Sequence, residues 1–274
     1  QQKLEHVLGH VVGDFQPHGR TEAAAREFAF QRLKQVLVAV LFDLDGVLTP
    51  TAEVHMRAWS EMFNAFLSSW EDPAADTSTY TDDDYFAHVD GKPRYDGVRD
   101  LLTARGIDLP EGDPSDAPTL DTVCGLGNRK NDAFNAVLER DGVSPFPGSV
   151  ALLDHLRDLG MPLAVVSSSA NAPAVLDAAG LAGLFVTVVD GRVATELGLP
   201  GKPAPDTFVH AASACGTTPA RSVVVEDAVS GVRAGAAGEF GLVIGVDRGA
   251  GTQTLTDAGA HLVVADLAEL VDPA

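Results

Sequence analysis

The stretch from Val36 to Thr49, Val-Leu-Val-Ala-Val-Leu-Phe-Asp-Leu-Asp-Gly-Val-Leu-Thr, constrains this chain more than any other. Residues 36 to 42 are all apolar and read as a strand buried on both faces of a parallel sheet. The strand delivers two carboxylates in period-2 spacing, Asp43 and Asp45, and Gly46 turns the chain directly afterwards. In open α/β sheets ligands bind beyond the carboxyl ends of the strands, so two acids there suggest chemistry. A solvated turn would also use aspartate and glycine. The remaining strand ends have to decide.

The chain has 274 residues, 45% of them apolar, enough for one sizeable domain and a smaller second one. Its 39 acidic against 19 basic side chains leave a net charge of −20, which argues against nucleic acid or an anionic membrane surface as partner. The same charge repels a phosphorylated substrate, so any phosphate site must bring its own cations. Cys124 and Cys215 lie far apart and lack metal-ligand spacing, which gives no support for a disulfide framework or a zinc site. No apolar run of about 18 residues and no leader pattern is present, and a cytoplasmic protein is expected.

Residues 1–35 carry two helical spacings, at Leu4, Val7, Leu8, Val11 and Val12 and at Thr21 to Leu33, read as an N-terminal helical extension. A stripe of Val54, Ala58, Trp59, Met62, Phe63, Phe66 and Leu67 predicts a helix over 53–69. Residues 71–84 read as a loop or a weak helix, 109–118 as a surface loop, and 100–107 and 131–140 as helices. No strand is apparent between 55 and 142, which is therefore expected to form an inserted helical cap on a core of 36–54 and 143–274. From Pro147 helices and strands alternate, with strands at 162–166, 184–189, 222–225, 241–246 and 261–264. That alternation predicts an α/β fold, a Rossmann-like doubly wound parallel sheet with every strand's carboxyl end on one edge.

The polar residues at those ends suit phosphoryl transfer. They are Asp43 and Asp45, then Ser167, Ser168 and Ser169, then Lys202 in Gly-Lys-Pro, and finally Glu226 and Asp227. A carboxylate can attack phosphorus and hold the phosphoryl group, splitting one hard displacement into two. Attack of one anion on another needs a cation, and Mg2+ bound by Asp43, Asp227 and a group at Asp45 would supply it, with Glu226 as ligand or orienting neighbour. Lys202 would neutralise the nucleophile, the Ser167 hydroxyl would bind the phosphoryl group, and Asp45 would be the general acid and base. Each has a plainer use: Lys202 as a surface loop cation, Ser167 as a helix cap, the Glu-Asp pair as a helix start. Together they require four strand ends to present this chemistry by accident.

These motifs, Asp43-Leu44-Asp45-Gly46-Val47-Leu48-Thr49, Ser167, Lys202 and Glu226-Asp227, resemble the haloacid dehalogenase superfamily over about residues 37–250. The resemblance implies a Rossmann-like core with a helical cap inserted after the first motif, and an acid at Asp45 is the mark of its phosphatases and phosphomutases. Within it, Thr49 to His55, Gly91-Lys92-Pro93-Arg94, Arg129-Lys130-Asn131-Asp132 at the start of the last cap helix, and Ser167 to Asn171 are similar to the β-phosphoglucomutase subgroup. That implies a sugar-phosphate substrate, Mg2+, and β-glucose 1,6-bisphosphate as activator. Arg94 would grip the distal phosphate with Ser169 and Asn171, Lys130 and Asn131 would reach the substrate from the cap, and His55 would stand near the hinge. Two positions depart from the subgroup: Ala170 replaces a frequent lysine and Gly97 a serine, and Lys92 is the candidate substitute cation. A sugar-phosphate phosphatase with the same nucleophile, and a non-catalytic accessory domain, are the alternative expectations.

Overall fold

The computed structural model describes residues 37–271, so the two helices expected before residue 36 lie outside the described residues. Six parallel strands form one sheet: β1 (Ala39–Phe42), β2 (Leu163–Val166), β3 (Thr187–Val189), β4 (Ser222–Glu226), β5 (Leu242–Val246) and β6 (Leu262–Val264), in the order β3-β2-β1-β4-β5-β6. This is the doubly wound α/β arrangement that the alternating pattern predicts. The first strand is central. Phe42 pairs with Val165 on one side and Val225 on the other, so Asp43 leaves the sheet between the ends of β2 and β4.

Successive strand residues face opposite sides, and here both sides are apolar. Val40, Phe42, Val165 and Val225 join one core cluster, and Leu41, Ala164, Val166 and Val224 join another across the sheet. Phe42 and Leu41 are fully buried. Each contributes about 1.5–3 kcal/mol by burial.

A third apolar cluster draws only on residues between Trp59 and Leu126. It is built by α1 (Thr51–Ser69), a short helical stretch Asp82–Asp84 that continues as a π-helix over Tyr85–Val89, α2 (Arg94–Ala104) and α3 (Val123–Asp141). The α1 stripe faces inward as its spacing predicts, with Trp59, Met62, Phe63, Phe66 and Leu67 buried. Ala58 and Phe134 instead join the cluster under the sheet, so α1 and α3 run from one core into the other.

Three expectations are corrected. The helix expected over 131–140 begins at Val123, where the Thr122 hydroxyl accepts the Gly125 N–H at 2.9 Å as N-cap. Lys130 and Asn131 consequently lie in its middle, not at its start. The helix expected over 100–107 begins at Arg94, directly after Pro93. The strand expected over 184–189 shrinks to Thr187–Val189. The remaining helices are α4 (Pro147–Asp158), α5 (Ala172–Ala178), α6 (Gly191–Glu196), α7 (Asp206–Ala214), α8 (Val229–Ala237) and α9 (Thr252–Asp257), of which α6 and α9 have no counterpart in the sequence reading. No helix among the described residues is long and apolar enough to cross a membrane.

Candidate active site

The strand ends converge on a cleft of about 740 Å³ roofed by the helical lobe, within the roughly 300–1,000 Å³ typical of small-molecule sites. Asp43, buried at the end of β1, donates its N–H to the Val225 carbonyl at 2.9 Å. Lys202 reaches it from the loop before α7. Its Nζ donates to Asp43 Oδ1 at 2.5 Å, Glu226 Oε1 at 2.6 Å and the Val166 carbonyl at 3.0 Å. Burial works against this ammonium, but the two carboxylates more than offset it and hold its pKa above the usual lysine value.

The oxygens of Asp43, Glu226 and Asp227 lie within 4.8 Å of one another. Three carboxylates face one ammonium. Burial, and then Glu226 and Asp43, push the Asp227 carboxyl well above the carboxylate range; burial likewise raises Asp43 against the pull of Lys202. An excess of packed oxygen donors over positive charge fits a hard divalent cation such as Mg2+. The backbone leaves room for it: Gly46 has φ +86°, and a Cβ there would fall 1.8 Å from Asp227 Oδ2. Gly46→Ala is expected to displace the Asp227 carboxylate and weaken Mg2+ binding about ten- to a hundredfold by titration calorimetry. The turn is also held from far along the chain. Arg248 donates Nε–H to the Gly46 carbonyl at 2.9 Å while its guanidinium lies 3.9 Å over the Phe146 ring.

The Asp45 carboxylate is not among the three grouped carboxylates, so a metal ligand at this position would be a backbone carbonyl, as the sequence suggests. The Thr51 hydroxyl donates to Oδ1, Ser167 Oγ lies 3.4 Å from Oδ2, and His55 Nε2 is 3.4 Å from Oδ1. Burial would raise this acid, but His55, Thr51 and Lys130 together lower it to about 2. It is an anion ready to accept a proton. His55 stacks on Phe134, 4.0 Å between centroids, and meets the Lys130 ammonium through Nδ1. Burial and the Lys130 charge lower the His55 pKa, and Nδ1, facing an ammonium, is placed to accept from it.

Lys130 is buried, with Nζ 4.9 Å from the Trp59 centroid and 5.2 Å from that of Phe134. Burial pulls its pKa from 10.5 to about 7, against the attraction of Asp45. The unfolded chain keeps this proton to about pH 10.5, so the cost of the buried charge is full below pH 7 and fades between pH 7 and 10.5. The aromatic faces lessen that cost. Lys130→Met is therefore expected to gain more stability at pH 6 than at pH 9, by roughly 2–3 kcal/mol at about 1.4 kcal/mol per pKa unit, read by urea unfolding at the two pH values.

The remaining expected substrate contacts form one network. Arg94 donates to Asn128 Oδ1 at 3.1 Å and Asn131 Oδ1 at 2.9 Å, and Asn171 Nδ2 donates to the same Asn131 oxygen at 2.7 Å. Ser169 Oγ accepts the Asn171 N–H at 3.2 Å. Ser168 turns to the roof, donating to the Gly91 carbonyl at 2.8 Å, and Ser230 donates to the Asp90 carbonyl at 3.0 Å. Lys92, the expected substitute cation, lines the cleft with its ammonium bound to Asp100. Gly97 does not line the cleft; a side chain there would meet Val89 at 3.4 Å. Sequence reasoning missed Thr51, which sat in plain view two residues after Thr49, and Asp90, whose pKa is raised to about 7, chiefly by burial and by Glu226. Asp90 carries no local signal, because only the fold brings it near Glu226.

The model of the haloacid dehalogenase-like hydrolase family matches residues 37–238. A β-phosphoglucomutase of Mycobacterium tuberculosis is 46% identical over 244 residues, covering 87% of this chain and 93% of that protein. Hexitol phosphatase A of Escherichia coli is 31% identical over 199 residues, 72% of this chain and 77% of that one. Among solved structures, a β-phosphoglucomutase from Clostridium difficile superposes with TM-score 0.68 at 22% identity, covering 85% of this chain and 93% of that one. The chain is thus an enzyme of the haloacid dehalogenase-like hydrolase family and belongs to its β-phosphoglucomutase-like branch.

Proposed function

We propose that this enzyme is a β-phosphoglucomutase, interconverting β-glucose 1-phosphate and glucose 6-phosphate through a phosphorylated Asp43. The observation that carries this reading is the grip on Asp45: its carboxylate is oriented by Thr51 and His55 of α1, and His55 in turn by Lys130 of α3. The proton carrier is aligned by the lobe that covers the cleft, so chemistry is coupled to a closed site from which water is displaced.

In the forward half, the Asp43 carboxylate forms a bond to phosphorus as the bond from phosphorus to the departing sugar oxygen breaks, and Asp45 gives that oxygen the proton it took in the return half. In the return half Asp45 takes a proton from the other sugar hydroxyl, which attacks the phosphoryl group on Asp43. Lys202 screens the nucleophile throughout, and Ser167 binds a phosphoryl oxygen. Mg2+, held by Asp43, Glu226 and Asp227, would offset charge on the transferring group when bound. Arg94, Asn131, Ser169 and Asn171 bind the rest of the substrate, with β-glucose 1,6-bisphosphate as activator.

The test supplies β-glucose 1-phosphate, Mg2+ and a trace of the bisphosphate, and follows glucose 6-phosphate and free phosphate together. Isomer without free phosphate is expected. Free phosphate released from many sugar phosphates would replace this reading with a Mg2+-dependent sugar-phosphate phosphatase, which the likeness to hexitol phosphatase A keeps in view.

A further inference from the structure

Six cationic side chains line the cleft, and their partners separate them. Lys202 is held between Asp43 and Glu226, Lys130 is enclosed with His55, and Lys92 is bound by Asp100. Arg99 is forked between Asp96 and Glu111, each at 2.6 Å. Arg94 is bonded only to neutral groups, so its charge remains available. Arg192 is the sixth, and nothing in the chemistry above uses it.

Arg192 stands on the second residue of α6, and that helix begins against the serine loop. The Gly191 N–H donates to the Ser169 carbonyl at 3.3 Å, and a Cβ on Gly191 would fall 2.8 Å from the Ser168 carbonyl oxygen and 3.2 Å from the Ala170 nitrogen. Glycine permits that approach. Arg192 therefore lines the cleft beside Ala170, which offers a phosphate no side-chain donor. Asp190, only 2% exposed, fixes the arginine: it accepts the Arg192 N–H at 3.0 Å, the Val193 N–H at 2.8 Å and Arg192 Nε at 3.2 Å. Neither terminal nitrogen of the guanidinium bonds a described residue, and the side chain is 61% exposed. As a surface ion pair this arrangement would contribute little to stability. As a phosphate contact it presents a planar fork whose orientation is already set.

We infer that Arg192 binds the substrate phosphate that is not being transferred, acting from the sheet side while Arg94 acts from α2, and that it favours doubly over singly phosphorylated ligands. This rests on the mutase reading for its substrate class. The two are separable, because binding is measured without turnover. β-Glucose 1,6-bisphosphate and inorganic phosphate are titrated calorimetrically, with Mg2+, into Asp43→Asn protein and into the same protein carrying Arg192→Ala or Arg192→Lys. With Arg192→Ala the bisphosphate Kd is expected to rise about ten- to a hundredfold, and by at least tenfold more than the inorganic phosphate Kd. Arg192→Lys recovers part of the loss. Equal weakening of both ligands, a bisphosphate Kd within twofold of the parent, or no bisphosphate binding by the parent overturns the inference. A protein that releases free phosphate in the turnover assay yet shows the Arg192-dependent bisphosphate affinity overturns only the mutase reading.

Discussion

Asp43→Asn lowers turnover by about four to six orders of magnitude while the protein stays folded, as expected where a nucleophile has no substitute. The asparagine is nearly isosteric and removes one of three clustered carboxylates, so the melting temperature holds or rises. Intact-protein mass spectrometry is the direct check. Parent enzyme mixed with the bisphosphate gains the mass of one phosphoryl group, and the variant gains none. A variant that kept even a hundredth of parental turnover would remove Asp43 from the chemistry, since Asp45 is committed to Thr51 and His55.

Lys202→Met has the largest expected effect on stability. Lys202 is 3% exposed and its ammonium is the cation bonded to Asp43 and Glu226, themselves 7% and 0% exposed. Methionine fills the same volume but leaves two buried carboxylates unpaired and the Val166 carbonyl without its donor. Breaking one side of a buried ion pair costs about 3–5 kcal/mol, about 10 °C in melting temperature for a chain of this size. Millimolar Mg2+ should return part of the loss, because a cation bound by the same oxygens favours the folded state. Turnover falls by at least about a hundredfold, as for removal of other fixed charges at developing anions. Denaturant midpoints of parent and variant, with and without Mg2+, measure the effect, and a loss below 1 kcal/mol would show that the carboxylates are relieved some other way.

The sheet was legible in the sequence because its central strands β2, β1 and β4 are apolar runs ended by a polar residue that the run itself does not need. Asp43, Ser167 and Glu226 could be read from that contrast and Lys202 from its Gly-Lys-Pro setting, and all four line one cleft. The covering helices were harder. α3 hides its first two turns behind Gly125 and Gly127, residues that ordinarily weaken a helix. Here they are demanded by contact, since a Cβ on Gly125 would fall 2.3 Å from the Leu120 carbonyl oxygen and one on Gly127 would fall 2.7 Å from the Tyr95 ring. Residue kinds near Arg94 were readable, but their partners were not. That Lys92 is bound by Asp100 while Arg94 donates to the carboxamides of Asn128 and Asn131 depends on packing between segments, which spacing along the chain does not encode.

The central position of β1 and the reach of Arg248 have a temporal side. A ribosome that has reached residue 200 has already made Asp43 and Asp45, but not Lys202, 159 positions after Asp43, nor Arg248, 202 positions after the Gly46 carbonyl that it holds. Contacts so distant in sequence form late in folding. The nascent chain thus carries Asp43 without its ammonium partner until Lys202 has been made, and the turn at Gly46 without its clamp until Arg248 has followed β5 out.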